Sequence, residues 1–127
     1  MKVSDIQKLH DGLDGLRNKK LPVKLSFVLL RNLKKIDDVV NDLEEKRTEL
    51  IEKYGDHDEQ GQLVINDEGN VKIENTKDFL SELMEIYDAD VEMQFDTVSE
   101  SDIEKCDQEG YDHLTVEEIS ALESMIK

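Results

Sequence analysis

The residues with the most definite chemistry lie between positions 56 and 67. Asp56, Asp58 and Gln60 alternate along the chain, Gly61 follows them, and Leu63 comes two residues later. A helix–loop–helix calcium site uses these residue types at its first, third, fifth, sixth and eighth loop positions, where oxygen ligands alternate and glycine permits a sharp turn. The twelfth position breaks the pattern. It is Asp67, one carbon shorter than the bidentate Glu that closes such a loop, and the next residues read as a strand rather than an exiting helix. The expectation is a solvated acidic turn, with Asp56, Asp58, Gln60 and Asp67 a weak calcium candidate and no other metal or cofactor implied.

Catalytic chemistry finds less support. His10, His57 and His113 sit in unrelated segments, and no nucleophile stands in a recognisable elbow or glycine-rich phosphate loop. In a chain with 32 Asp and Glu, pairs at helical spacing such as Glu82 and Glu85 arise from composition alone. Acid–base work would need such a pair to be buried. The chain is therefore read as non-enzymatic. Its single cysteine, Cys106, excludes an internal disulfide and fits a reducing cytoplasm.

Charge is the stronger signal. The net charge is −16, yet residues 1–55 hold 12 Lys/Arg against 10 Asp/Glu, whereas residues 56–127 hold 4 against 22. Like charges repel and opposite charges speed encounter, so the second half disfavours nucleic acid and anionic membrane and favours basic protein partners. Glu82, Glu85, Asp88, Asp90, Glu92 and Asp96 are the candidate contact residues, because a helix and a strand concentrate them there. A related reading is that the acidic half mimics DNA and inhibits a DNA-binding enzyme. The first half carries the opposite cluster, Arg17, Lys19, Lys20, Lys24, Arg31, Lys34 and Lys35, with no acidic residue from Gly15 to Ile36. Without interleaved aromatics it is a poor nucleic-acid site, and it is expected to pair with the acidic half of its own chain or of a neighbouring copy.

Those side chains need elements to hold them. Val3, Ile6, Leu9, Leu13 and Leu16 are spaced for a first helix, opened by a Ser4–Gln7 capping box. Pro22 disfavours helix at Leu21 and starts a long second helix that Gly55 ends. Along it Leu29, Ile36, Leu43 and Leu50 recur every seven residues, with Leu33, Val40 and Tyr54 as companions. Two such rows form a seam that must be covered, by this chain or by a second copy in a homodimer through Leu29, Ile36, Leu43 and Leu50. Gln62–Asn66 and Val71–Glu74, around the turn Asp67–Asn70, predict a β-hairpin. A third helix begins near Asn75 or Thr76 with Phe79, Leu80, Leu83, Met84, Ile86 and Tyr87 on one face, and Val91, Met93 and Phe95 then alternate as a half-buried strand that could join the hairpin. A loop or short helix is expected around Ile103. Thr115 and Glu118 form a capping box for the last helix, with Leu114 and Ile119 as its staple. No internal repeat is apparent.

At this length one domain is expected, 1–127, made of a near-neutral helical half (1–55) and a strongly acidic half (56–127) with hairpin, helices and strand. The fold class is α+β, mainly α: a long amphipathic helix packed with two or three shorter helices and a small antiparallel hairpin or sheet. No run approaches the roughly 20 apolar residues of a membrane span, and the first residues lack the apolar core of a signal peptide. The expected place is the cytoplasm.

Leu21-Pro22-Val23-Lys24-Leu25-Ser26, leading into the helix that closes with Arg47-Thr48-Glu49-Leu50-Ile51-Glu52-Lys53-Tyr54, resembles a family of short phage and prophage proteins of unknown function. The likeness continues through Asp58-Glu59-Gln60-Gly61, the expected hairpin, the helix of Phe79 and Leu83, and the closing Leu114-Thr115 helix. It implies an origin in a phage or prophage of a low-GC Gram-positive host, and it assigns no active residues. The resulting expectation is a counter-defence or accessory protein that binds and modulates a host or phage protein through its acidic surface. A tail-assembly chaperone, or another virion-assembly factor, is the alternative.

Overall fold

The computed structural model describes residues 1–127 and is built on one long helix. Helix α1 spans Val3–Leu13 and tightens into a 3-10 turn at Asp14–Asn18; α2 spans Val23–Tyr54, α3 Thr76–Asp88, α4 Glu100–Glu104 and α5 Val116–Leu122. With 32 residues at 1.5 Å each, α2 is about 48 Å long. Pro22 stands just before it as expected. Gly55 ends it, though not in the left-handed conformation usual for such a stop: its backbone is extended, with φ −69° and ψ 144°. A Cβ at Gly55 would lie 2.5 Å from the Ile51 carbonyl oxygen and 2.7 Å from Leu63 Cδ2, so it is close packing that requires glycine there.

The seam of α2 is consumed within the molecule. Leu29, Ile36, Leu43 and Leu50 are 3, 0, 2 and 8% exposed, which removes them as a surface for a homodimer. One core gathers Ile6, Leu13 and Leu16 with Leu25, Leu29, Leu33 and Ile36 of α2, and with Val98, Cys106, Leu122 and Met125 from the second half. Gly12 brings α5 onto α1, since a Cβ there would meet Ala121 Cβ at 2.9 Å. That approach offsets the cost of a helical glycine, about 1 kcal/mol. The Ser4–Gln7 box does not form. Lys2 precedes α1 without a side-chain cap, and the Val3 N–H instead donates to the Ala89 carbonyl at 3.0 Å.

No β-sheet forms, and the expected hairpin is replaced by a ring. The Asp56 N–H donates to the Lys72 carbonyl (2.8 Å), the Lys72 N–H to Val64 (2.9 Å), and the Val64 N–H to Asp56 (2.8 Å). Each of three extended segments thus pairs once with each of the other two, and no ladder can lengthen. Behind the ring lies a repeat that hydrophobic patterning alone passes over: Asp58–Ile65 (DEQGQLVI) and Asn66–Ile73 (NDEGNVKI) are successive eight-residue units. In each, the leading Asx side chain accepts two backbone N–H bonds, Asp58 from Gln60 and Gln62, Asn66 from Glu68 and Asn70. Gly61 and Gly69 then supply φ values of +79° and +84°.

Residues 89–98 run as an extended strap instead of a paired strand. The alternation read from the sequence is present: Val91, Met93 and Phe95 are half-buried against the core, while Glu92 and Gln94 are exposed. Its backbone bonds, however, go to scattered partners. The Val91 N–H donates to Met1, the Met1 amino group returns a bond to the Val91 carbonyl, and Val98 exchanges bonds with Met125 and Lys127. From α2, Lys35 Nζ donates to the Gln94 carbonyl at 2.7 Å. Asn32, fully buried, donates through Nδ2 to the Asp96 carbonyl at 2.9 Å and accepts the Asp96 N–H at 2.8 Å. One amide thereby imitates a neighbouring strand. Asn32→Leu leaves both Asp96 groups unpartnered at about 1–3 kcal/mol each, so urea denaturation is expected to show a loss of about 3 kcal/mol. A loss below about 1 kcal/mol would mean that apolar contacts, not the clamp, hold the strap.

Candidate protein-binding surfaces

The six carboxylates chosen from the sequence fall into two groups. Glu82 and Asp96 are engaged inside the molecule. Lys53 Nζ donates to both Glu82 oxygens at 2.9 and 3.3 Å, and that hydrogen bond is the main reason the Glu82 carboxyl titrates below its ordinary range. The Tyr54 ring packs edge-on against Phe79 with centroids 6.1 Å apart, so α3 is set antiparallel along the last turns of α2. Burial, then the neighbouring Glu82 carboxylate, raises the Tyr54 hydroxyl above its ordinary value. The Asp96 side chain takes Arg31 at 3.2 Å and Lys35 at 3.8 Å.

Glu85, Asp88, Asp90 and Glu92 form the second group and are exposed. They follow one another from the last turn of α3 onto the strap. Only Asp88 has a cation within ion-pair distance, Lys2 at 3.8 Å, and both of those side chains are more than half exposed. The backbone beneath them is held at Val91 by residue 1, and at Gln94 and Asp96 by α2. The backbone beneath this line has lost its conformational entropy in advance, which favours docking on a basic surface.

The weak calcium candidates are not gathered into one cluster. Asp58 Oδ1 points into its own turn to accept two backbone N–H groups, Asp56 faces Lys72 Nζ at 3.8 Å, and Asp67 belongs to the second repeat. No cluster of three metal-ligating side chains exists. The histidines stay apart: His10 lies beside Asp11 and Asp37, His57 beside Glu52, His113 beside Asp107. Cys106 is buried, and burial raises its thiol above the ordinary value.

The basic cluster meets the acidic half only in part. Lys19 Nζ reaches Glu118 Oε1 at 2.5 Å and the His113 carbonyl at 2.9 Å, and the Lys20 backbone N–H donates to Asp112. Arg17 turns instead to Asp14 and Asp37 of its own half. Lys24 and Lys34 make no ion pair. Glu118 also completes the expected capping box with Thr115 at the start of α5. Ile119, assigned to the staple, is 46% exposed.

Apolar surfaces remain that the sequence reading did not single out; one is on α5, where Val116 and Ile119 are 84 and 46% exposed, and two are on α2 and α3. On the amino-terminal turns of α2, Val23, Phe27 and Leu30 are 68, 54 and 51% exposed. Leu30 also borders a groove of about 320 Å³ walled by Leu16, Leu21, Leu29, Leu33 and Lys34. On α3, which buries no residue fully, Leu80 and Met84 are 52 and 62% exposed. The signal was present as excess: both helices have more apolar residues than one buried face accommodates. Comparison with protein-family models, curated proteins and solved structures yields no match.

Burial opposes the charge on Glu118, but the Lys19 and Thr115 hydrogen bonds prevail and hold its carboxyl below the ordinary value of 4.5. A carboxylate with a depressed folded pKa stabilises above its unfolded pKa, and the contribution drains away as pH falls through the folded value. Glu118→Gln is therefore expected to flatten the stability–pH curve below about pH 4.5. Lys19→Met strands the buried carboxylate and is expected to cost about 3 kcal/mol at pH 7. Unfolding curves for both variants that match the wild type across pH 3 to 7, a range spanning the ordinary carboxylate pKa of about 4.3, would overturn this account.

Proposed function

We propose that this chain is a non-enzymatic protein-binding factor of phage origin, acting in the host cytoplasm by occupying a basic surface on a host or phage protein and modulating it. The observation that carries the reading is the line Glu85, Asp88, Asp90 and Glu92, displayed on a backbone anchored from both sides while Glu82 and Asp96 are neutralised internally. Four exposed carboxylates on a held scaffold favour rapid, salt-sensitive encounter with a cationic partner. The lopsided charge agrees with this, since the half bearing the line has few cations to quench it.

The test is affinity capture from phage-infected host cells, comparing wild type with a variant carrying E85Q, D88N, D90N and E92Q. The substitutions lie at exposed positions and leave the anchoring groups intact. Wild type is expected to retain a discrete partner at low salt and release it at high salt, and the variant to retain about tenfold less, equivalent to about 1.4 kcal/mol. Equal retention by both proteins would sink the assignment. Recovery of tail proteins alone would place the same surface in virion assembly.

A further inference from the structure

We infer that copies of this chain associate head to tail, the exposed acidic face of α3 on one copy docking on the basic apolar stripe at the start of α2 on the next. The inference does not rest on the proposed function. It rests on two solvent-exposed apolar faces of opposite charge in one molecule.

The receiving face is Val23, Phe27 and Leu30, spaced by four and three residues and so aligned along one side of α2. Lys34 continues that line, and Lys24 and Arg31 flank it; Arg31 also lies over the Phe27 ring at 5.9 Å. Arg31 shares its charge with Asp96 and Lys24 acts at longer range on Asp102, whereas Lys34 has no carboxylate within ion-pair distance. The adjoining groove has a leucine floor, and its volume of about 320 Å³ sits at the small end of ligand pockets, suited to one or two inserted side chains. The entering face is Leu80 and Met84, one turn apart, with Asp88 a turn beyond and Lys77 a turn before, while Glu85 lies on the flank toward α2. Two apolar knobs with one carboxylate beyond them and another on the flank thus match an apolar stripe bordered by amines.

The contact cannot close within one molecule. Lys53 binds Glu82 and Tyr54 meets Phe79, which fixes α3 beside the far end of α2. Phe27 and Lys53 are 26 residues apart on one unbroken helix, about 39 Å. Only a second copy brings the faces together. Because the faces differ, a single contact leaves one face free on each copy, and assembly then either closes, as a two-fold pair or a ring, or runs on as an open chain. The net charge of −16 opposes close approach, so association is expected to strengthen with protein concentration and to stay modest.

Sedimentation analysis of the full chain tests this with variants at exposed positions. Wild type is expected to show an average mass rising with concentration above the 14.7 kDa of one chain. A receiving-face variant (F27S, L30S) and an entering-face variant (L80S, M84S) are each expected to remain single chains, with helical circular dichroism unchanged. Mixed in equal amounts, they retain one good face apiece and should form a complex of two chains and none larger. As a second measure independent of apolar packing, reversal of K24E with K34E, and separately of E85K with D88K, should abolish association, and mixing the two should restore it. A wild type of constant single-chain mass, or face variants that associate like wild type, would overturn the inference. So would a mixture that stays monomeric, because it would mean that the two faces are not partners.

Discussion

The fold depends on one buried amide. Asn32 sits fully enclosed on α2 and takes both the N–H and the carbonyl of Asp96, which a helix face otherwise has no means of satisfying. With that pair made, residues 89–98 can lie flat along the helix and insert Val91, Met93 and Phe95 into the core margin. The strap in turn receives residues 1–3 at one end and residues 125–127 at the other. Helices α1 and α5, which sandwich Gly12 against Ala121, are thus registered against each other by a segment that is neither helix nor sheet.

Burial is uneven along α2, and that unevenness organises the surface. The core cluster draws on the first half of the helix, from Leu25 to Ile36, while the far half has only Leu43 and Leu50 under an α3 that buries nothing fully. A thinly covered helix leaves apolar side chains outside and relies on charge pairs such as Lys53–Glu82 to set its position. Such pairs in exposed settings contribute little stability, so α3 is held chiefly by its half-buried Phe79, Leu83, Ile86 and Tyr87 and by the Tyr54–Phe79 contact.

Much of this was legible. Pro22 and Gly55 bracket the long helix, the seven-residue row marks its buried face, and Thr115 with Glu118 announces α5. The alternation at Val91–Phe95 also describes which side chains face inward. What it does not reveal is the backbone's partner, because a half-buried extended segment looks the same whether a strand or an asparagine satisfies it. Asn32 itself stood among Leu25, Leu29 and Ile36 on the apolar face, a polar residue at a core position, and was readable as a buried hydrogen-bonding group. The partners of Glu82, Asp96 and Glu118 were not readable, since Lys53, Arg31 and Lys19 are 29, 65 and 99 residues away and no local pattern links them. The acidic turn at 56–67 drew attention to calcium ligands when its periodicity of eight residues was the more informative property.

That periodic ring has a bearing on solubility. Leu63-Val64-Ile65 is a short, uncharged, β-prone run of the kind that recruits other chains when its backbone is left open. In a hairpin one side of such a run would remain an edge. Here Val64 uses its N–H on Asp56 and its carbonyl on Lys72, so the middle of the run has nothing left to offer a passing strand. Closing three segments on themselves removes an aggregation template from the end of a helix that exposes half of its surroundings to water.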